Sequence, residues 1–260
     1  MSFHQNDGVR FFRFGGFPNS ITHAVFTRQG GVSPEPWHSL NVGGTVGDDP
    51  ERVRANRVRS FEAVHRTPAS IYDVWQVHSA DVVHADAPRD FSVDVKQADI
   101  LLTDKPDVTL YMRFADCVPL LFHDPQKGVA GIAHAGWLGT VRGVAAKAIA
   151  AMRGKYGCKP ENILAAIGPS IGPDHYEIGP DVIVQVQHAF GGDSERLLES
   201  HHGRVHLDLW MANYLQLQKA GVEKIETAGI CTACHLDDWF SHRAEKGRTG
   251  RFGALIGLQA

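Results

Sequence analysis

The stretch GVAGIAHAGWLGTVRGVAAKAIAAMRGKYG, residues 128–157, contains one regular element of each kind. Its first part, GVAGIAHAG, is an apolar run that ends in glycine, which is typical of a buried strand. From Thr140 to Tyr156, alanines and larger apolar residues recur at helical spacing, and this pattern predicts a helix packed on a sheet. Gly157 would end that helix, because glycine readily adopts the left-handed conformation at helix C-termini. The fold should therefore combine strands with helices.

On both sides of this stretch, apolar runs predict more strands than helices. The predicted strands are one or two within residues 11–26, then residues 71–77, 81–85, 100–103, 108–116, 118–124, 162–167, 224–227 and 251–258. Further helices are predicted after Asp48-Asp49-Pro50, at residues 180–190 and at residues 207–220. Because strands come in runs with helices inserted between them, we expect an α+β fold rather than strict β-α-β alternation.

The composition is that of an ordinary globular protein. Apolar residues make up 43% of the 260 residues and charged residues 21%, and the net charge is −3. No strong basic field is available to hold a nucleic acid or an acidic membrane. The start, MSFHQNDGVRFF, lacks the apolar segment of a signal peptide, and no apolar run reaches the roughly 18–20 residues that span a bilayer. We therefore expect a cytoplasmic protein that binds neither nucleic acid nor membranes.

Three residues that follow apolar, strand-like runs could meet at one edge of a sheet. They are His78 after VWQV, Cys117 between FAD and VPLL, and His134 after GVAGIA. Two imidazoles and a thiolate are good zinc ligands, and three protein ligands would leave a fourth position open, as in catalytic zinc sites. Two other interpretations stay open from the residues alone. The three could be unrelated buried polar residues, or Cys117 and His134 could form a nucleophile and its base without metal.

Other candidate motifs carry weaker signals. The four cysteines are too few for a disulfide scaffold, and Cys231-x-x-Cys234, followed by His235, is half of a structural zinc site, a redox pair, or two packing cysteines near a turn. The stretch GGVS, residues 30–33, could bind an anion through its amides or be a plain turn. Possible anion partners by charge are Arg28, Arg243 and Arg248.

Several enzyme classes are disfavoured by missing motifs. None of the 15 histidines forms the His-x-His pairs on which laccases carry their trinuclear copper site. The sequence also lacks the glycine-rich dinucleotide motif, the phosphate-loop lysine motif and the G-x-S-x-G motif of α/β-hydrolases. Dinucleotide binding, phosphate-loop chemistry and the α/β-hydrolase reaction are therefore not leading hypotheses.

Six motifs occur in the order found in one known family. They are TRQGGVSPEPWHSLNVG from residue 27, QVHSADVV from residue 76, ADCVPLL from residue 115, HAGWLGT from residue 134, IGPSIGPDHYEIG from residue 167 and CTACHLDDWFSHRAEKGRTGR from residue 231. On these motifs, which extend from about residue 20 to the C-terminus, the sequence resembles the YfiH-like laccase-domain family. Members were once called multicopper polyphenol oxidases and are now regarded as purine nucleoside phosphorylases.

The resemblance implies a function and a fold. It implies phosphate-dependent cleavage of adenosine, inosine, guanosine or methylthioadenosine, together with adenosine deaminase activity. It places the family's zinc ligands on His78, Cys117 and His134. It also implies a single domain over residues 1–260, in which mixed sheets are flanked by helices, similar to the catalytic domain of cytotoxic necrotizing factor. Purine nucleosides and phosphate are the expected partners, and no obligate protein partner is evident.

Three further residues have expected roles in the site, and four positions differ from the motifs of the family. Asp116, beside Cys117, would orient a ligand, carry a proton, or simply bond backbone at a turn, while Asn41 and Gln76 would bind ribose or base. Where the family often has HAGWRG, IGPCIG and FSYRR, this chain has Leu138, Ser170, and His242 with Ala244. The missing arginine puts phosphate binding in doubt, although Arg243 and Arg28 could supply it. A copper polyphenol oxidase and a metal-independent cysteine hydrolase remain the alternatives.

Overall fold

The computed structural model of the chain describes residues 1–201 and 203–259. The strands in those residues are β1 Ser2–Asn6, β2 Val9–Arg13, β3 Ile21–Phe26, β4 Ile71–Tyr72, β5 Val82–His84, β6 Ile100–Thr103, β7 Thr109–Phe114, β8 Val118–Asp124, β9 Val129–Ala135, β10 Leu164–Ile167, β11 Leu198–His201, β12 Arg204–Leu207, β13 Lys224–Thr227 and β14 Phe252–Leu258. The α-helices there are α1 Pro50–Ala63, α2 Trp137–Val141, α3 Val144–Tyr156, α4 Pro180–Phe190 and α5 Leu209–Lys219.

Two six-stranded mixed sheets form the centre of the molecule. The first has the order β1-β2-β3-β14-β7-β4 and the second the order β13-β10-β8-β9-β6-β5, while β11 and β12 form a separate hairpin. Strands β7 and β8 follow one another in the chain but belong to different sheets. The segment between them, residues 115–117, therefore crosses from one sheet to the other.

The apolar core lies in three clusters that define four layers. One cluster lies between the sheets and contains Met112 of β7, Ile132 of β9 and Ile256 of β14. A second joins the other face of the second sheet to α3, α4 and α5, as with Met152 of α3. A third joins the first sheet to α1. Because β8 and β9 are covered on both faces, every residue in both strands is buried. No helix in the described part of the chain is long and apolar enough to cross a membrane.

The α+β class with mixed sheets and flanking helices is confirmed. The helix predicted from Thr140 to Tyr156 is instead two helices, α2 and α3. Gly143 separates them, with a φ of 79° that interrupts right-handed helix. Gly157 has a φ of 66° and ends α3 as predicted. The assignment of residues 1–260 to one domain and the likeness to the cytotoxic necrotizing factor catalytic domain stay predictions.

The strand predicted at residues 71–77 ends early. Only Ile71–Tyr72 pairs with β7. Beyond it, the Asp73 carboxylate contacts arginines, and the Val77 amide donates to the Asp99 carboxylate at 3.1 Å rather than to a neighbouring strand. These polar partners draw residues 73–79 out of the sheet, across the end where β9 finishes.

Candidate metal centre and its cavity

Three different segments bring His78, Cys117 and His134 together. Cys117 lies in the crossing between β7 and β8, and His134 lies near the end of β9, where it pairs with Pro119 of β8. His78 lies in the loop that leaves the first sheet after β4. The three residues therefore meet as the sequence analysis expected, although His78 reaches the strand ends at Cys117 and His134 through a loop.

The geometry of the three side chains suits a zinc ion. Their ligand atoms all lie within 4.8 Å of one another, with Cys117 Sγ at 3.9 Å from His78 Nε2. The two imidazole ring centroids are 4.9 Å apart. In a tetrahedral zinc site with bonds of about 2.0–2.3 Å, nitrogen and sulfur ligands are about 3.6 Å apart. The donor set and its spacing therefore fit zinc with one position left open, and the role of these residues as ligands stays a prediction.

Gly136 allows this close approach. A Cβ atom at that position would lie 2.9 Å from Cys117 Sγ and 3.0 Å from His78 Cδ2, closer than real side chains come. The backbone at His78 and Asp116 is also unusual, with φ values of 57° and 78°. Such left-handed conformations cost about 1–3 kcal/mol and cluster at functional sites. The chain thus maintains strained turns where the three donors converge.

Asp99 orients both histidine segments and was missed by the sequence analysis. Its buried carboxylate accepts a hydrogen bond from His134 Nδ1 at 2.8 Å through one oxygen. The other oxygen accepts from the backbone amides of Val77 at 3.1 Å and Ser79 at 2.7 Å, on either side of His78. Because Nδ1 is occupied, His134 can present only Nε2 to a metal. A carboxyl immediately before an apolar strand, as in ADILLT, was the available signal.

The charges of these buried groups depend on one another. Burial alone would raise the pKa of Cys117, but His134 and His78 more than offset this and lower it to about 6. Burial alone would lower the pKa of His134, but the Cys117 thiolate and Asp99 raise it to about 9. The pKa of Asp99 is below its ordinary value, because hydrogen bonds from His134, Ser79 and Val77 outweigh the opposing effect of burial. The site therefore favours a thiolate at neutral pH.

A cavity of about 610 Å³ opens above the three donors, and four arginines are among the residues that line it. That volume is within the range of about 300–1,000 Å³ typical of small-molecule sites. The cationic wall consists of Arg57, Arg89, Arg113 and Arg251. The sequence analysis did not single out Arg57, Arg89 or Arg113, since isolated arginines in separate elements carry no motif, whereas Arg251 is the last residue of the family motif that starts at residue 231.

Asp73 holds three of these arginines in place. Its buried carboxylate contacts Arg89 directly, and Arg113 Nη1 and Arg57 Nη1 lie 3.6 and 3.9 Å away. One negative charge among three guanidinium groups leaves the wall with an excess of positive charge. Burial lowers the pKa of Arg113, although Asp73 opposes this effect. An anion entering the cavity would relieve the unbalanced charge.

The sequence-predicted binding residues differ in their relation to the cavity. Gln76 lines it, and its amide bonds both ways with the backbone of Arg113, at 2.8 and 3.0 Å. Asn41 is fully buried behind the wall, and its Oδ1 accepts from the amides of Gly43 at 2.9 Å and Arg251 at 2.8 Å. Gly43 and Arg251 do line the cavity. Asn41 therefore positions the lining rather than contributing to it.

Asp116, Arg243 and Arg28 connect loops instead of lining this cavity. Asp116 accepts from Thr232 Oγ1 at 2.7 Å and from the Arg243 amide at 2.6 Å. Arg243 Nη1 donates to the Glu177 carbonyl at 2.8 Å. The Arg28 guanidinium is 11% exposed, donates to two carbonyls and pairs with Glu245 at 3.1 Å. The structure therefore offers each of these residues a backbone-organising role.

The remaining motifs also have clear positions. In the stretch GGVS, the amides of Gly31, Val32 and Ser33 donate to Ser39 and Asn56, so these donors are already used within the protein. Cys231 and Cys234 lie beside Asp174 and His175 in a second cluster of possible metal ligands, away from the cavity wall. The unpaired Cys-x-x-Cys motif thus has neighbours that the sequence spacing could not reveal.

The sequence is similar to a known family and to named relatives over most of its length. Residues 22–259 match the family described as multi-copper polyphenol oxidoreductase laccase. The chain is 42% identical to a purine nucleoside phosphorylase of Deinococcus radiodurans, over 93% of this chain and 91% of that protein. It is also 38% identical to purine nucleoside phosphorylase YlmD of Geobacillus stearothermophilus, over 89% and 88% of the two chains.

Solved structures of two similar proteins share the fold of this chain. The crystal structure of YlmD from Geobacillus stearothermophilus matches with a TM-score of 0.90 and 36% identity, over 99% of both chains. That of Bacillus licheniformis YfiH matches with a TM-score of 0.91 and 32% identity, again over 99% of both chains. The matched family, the named relatives and the shared fold lead to one conclusion: the chain belongs to the YfiH-like laccase-domain family.

Proposed function

We propose that this protein is a zinc-dependent purine nucleoside phosphorylase whose centre is formed by His78, Cys117 and His134. The observation that supports it most strongly is the position of three zinc-type donors at the base of a cavity walled by four arginines. The relatives named purine nucleoside phosphorylase supply the reaction class. The proposed substrates are adenosine, inosine, guanosine and methylthioadenosine, with phosphate as the second substrate.

A bound metal and the residues around it would contribute to the reaction in different ways. A bound zinc would supply a Lewis acid at the base of the cavity. Asp99 holds His134 in the tautomer that presents Nε2, and it also fixes the turn that carries His78. Gly136 leaves room for the donors to converge. These residues pre-organise the centre, which reduces the reorganisation needed during the reaction.

The arginine wall is proposed to bind phosphate. In phosphorolysis, a phosphate oxygen bonds to ribose C1′, the bond from C1′ to the purine nitrogen breaks, and the purine departs with that electron pair and takes up a proton. Arginine guanidinium groups match phosphate because they donate two parallel hydrogen bonds and keep their charge. Arg251, positioned by Asn41, is our candidate for the most direct contact. Arg251 would then bind phosphate in place of the arginine that the family often has at the position of Leu138.

The nucleoside would occupy the rest of the cavity. Trp75 lines it with a side chain that is 46% exposed, and a flat indole is suited to stacking on a purine. Gln76 lies beside Arg113 and would set the distance between base and phosphate. Deamination of adenosine, in which water replaces the amino group at C6 and ammonia leaves, is proposed as a second reaction in the same cavity.

Metal analysis combined with product chromatography tests this proposal. Purified protein would be incubated with adenosine, with and without phosphate, and its zinc and copper contents measured on the same sample. We expect bound zinc, phosphate-dependent formation of adenine and ribose phosphate, and inosine or hypoxanthine from the deaminase reaction. Nucleosides that remain intact at full zinc occupancy would contradict the proposal. Stoichiometric copper with a blue absorption band would support the polyphenol oxidase alternative.

One observation favours a second candidate, a metal-independent cysteine hydrolase. Cys117, His134 and Asp99 form a connected series in which the pKa of the thiol is lowered to about 6, as in a nucleophile with its base and orienting carboxylate. Alkylation of Cys117 would distinguish the two functions. If the enzyme stays active after thorough chelation and alkylation then inactivates it, the result favours the hydrolase. If chelation abolishes the activity and added zinc restores it, the result favours the phosphorylase.

A further inference from the structure

A second group of metal-type donors lies where two neighbouring strands end. Strands β10 and β13 are parallel neighbours, so the loops that follow them leave the same edge of the second sheet. Beyond the strands the two loops stay paired: Ser170 donates to the Ile230 carbonyl at 3.1 Å, and Thr232 donates to the Ser170 carbonyl at 3.0 Å. This pairing places Cys231 and Cys234 against the turn that carries Asp174 and His175.

Four donor atoms of this cluster converge. His175 Nδ1 lies 3.5 Å from Cys234 Sγ and 3.8 Å from Cys231 Sγ. Asp174 Oδ2 lies 3.2 Å from Cys234 Sγ and 2.9 Å from His175 Nδ1. A tetrahedral zinc with bonds of about 2.0–2.3 Å separates nitrogen and sulfur ligands by about 3.6 Å. The two sulfur–nitrogen distances, 3.5 and 3.8 Å, are close to the distance between two such ligands of one zinc ion.

The backbone of residues 172–176 packs closely against Cys231. The Gly172 amide donates to Cys231 Sγ at 3.2 Å. A Cβ atom on Gly172 would lie 2.5 Å from Asp174 Oδ1 and 3.1 Å from Cys231 Cβ, so the turn closes tightly on the sulfur. The amides of His175 and Tyr176 both donate to the Gly172 carbonyl at 3.1 Å. The turn therefore holds its two donors in place through backbone bonds.

Charge also favours a cation at this place. Zinc binding requires deprotonated cysteines, and the two thiolates and the carboxylate would then place three negative charges within a few ångströms, which a divalent ion offsets. Thiolate and imidazole ligands with tetrahedral spacing select zinc among the common cellular ions. A magnesium or calcium ion would require oxygen ligands instead.

We propose that Asp174, His175, Cys231 and Cys234 bind a second zinc ion in a closed, four-ligand structural site. The four protein donors complete the tetrahedron, so this ion has no position for a substrate. Its role is to tie residues 172–176 to residues 231–234. The tie reaches the first centre through Thr232, which donates to Asp116, the residue before Cys117.

Zinc stoichiometry in matched variants tests this proposal. Wild-type protein purified under reducing conditions should contain two zinc ions per chain, and Cys234→Ala should contain one. Cys234 is exposed, so its loss should leave the fold intact. The matched control is Cys158→Ala, which removes a cysteine outside both clusters and should keep two ions. A Cys117→Ser variant should also fall to one ion, and the double variant Cys117→Ser/Cys234→Ala should hold none.

A thiol-reactivity measurement gives a second readout that does not depend on activity. In wild-type protein, Cys234 should react with a thiol reagent only after a chelator is added, although it is exposed. Two results would overturn the proposal: a Cys234→Ala variant that retains the wild-type zinc content, or immediate reaction of Cys234 in zinc-loaded protein. A Cys231–Cys234 disulfide in protein kept reduced throughout would also overturn it. If the first centre of the proposed function held no zinc, every count would be lower by one, but the one-ion difference between wild-type protein and Cys234→Ala would remain.

Discussion

The two clusters of metal-type residues differ in the number and surroundings of their donors. The first has three, and it lies under a cavity, with His134 only 5% exposed and supported by the buried Asp99. The second has four, and His175 and Asp174 have 45% and 57% of their side chains exposed. Three donors in a cavity leave room for a substrate, while four donors between loops complete the ion's coordination. This difference is the basis for proposing chemistry at the first cluster and a structural tie at the second.

The largest expected effect tests whether the first cluster carries the chemistry. His78→Asn removes one of only three ligands, and we expect phosphorolysis measured as kcat/KM to fall by more than about a hundredfold, beyond what loss of a supporting residue costs. The matched control is His188→Asn, on the exposed face of α4, which should leave the rate and zinc content unchanged. A His78→Asn enzyme with at least a tenth of the wild-type kcat/KM would show that the first cluster takes no part in the reaction.

A smaller effect tests the support that Asp99 gives to the first cluster. Asp99→Asn leaves one acceptor oxygen instead of two, so the side chain can accept from His134 Nδ1 or from the Val77 and Ser79 amides but not from both, and one histidine segment should lose its orientation. We expect zinc affinity at the first centre to fall about 10–100-fold, as for other residues behind a metal ligand. Chelator competition measures it, with the exposed Asp107→Asn as the control. Equal weakening at both clusters would mean that Asp99 acts on the fold in general.

The cavity wall should affect phosphate more than the metal. Arg251→Gln removes one guanidinium group from the wall, and a hydrogen bond between charged groups contributes about 1.5–3 kcal/mol. We expect the KM for phosphate to rise about tenfold or more, while zinc content and phosphate-independent deamination change little. Steady-state kinetics with varied phosphate measure this, with the exposed Arg54→Gln as the matched control. An unchanged KM for phosphate would assign the anion to another part of the wall.

The smallest expected effect concerns the bond between the two regions. Thr232→Val removes the hydroxyl that donates to Asp116 at 2.7 Å and leaves that carboxylate its bond to the Arg243 amide. We expect the free energy of unfolding to fall by about 1 kcal/mol. Urea denaturation measures it, and Thr227→Val on β13 serves as the control. Loss of more than one bound zinc in Thr232→Val would show that the two clusters depend on each other more strongly than proposed.

Local sequence patterns predicted most elements of the fold because burial on both faces of a sheet leaves continuous apolar runs. Val118–Asp124 and Val129–Ala135 are such runs, and their bounds agree closely with the prediction. The break at Gly143 was missed, since a single glycine in an apolar helical pattern does not reveal whether its φ is positive. The hairpin of β11 and β12 was missed too, because its short strands carry polar residues and form no continuous apolar run.

The candidate site was only partly predictable, for a different physical reason. His78, Cys117 and His134 each follow an apolar run, and the family resemblance singled them out together. Asp99 and the arginine wall depend on which loops meet at the sheet edge, and that is a property of the three-dimensional fold. The Cys-x-x-Cys motif has no second half in the local sequence, because its neighbours in space, Asp174 and His175, lie more than fifty positions earlier in the chain.

The most direct test of the central claim measures metal content and turnover together in Cys117→Ala. If two imidazoles and this thiolate hold the catalytic zinc, the variant should lose one zinc ion per chain and its phosphorolysis of inosine in the same preparation. A folded Cys117→Ala protein that lacks that zinc ion and still cleaves inosine at the wild-type rate would contradict the account.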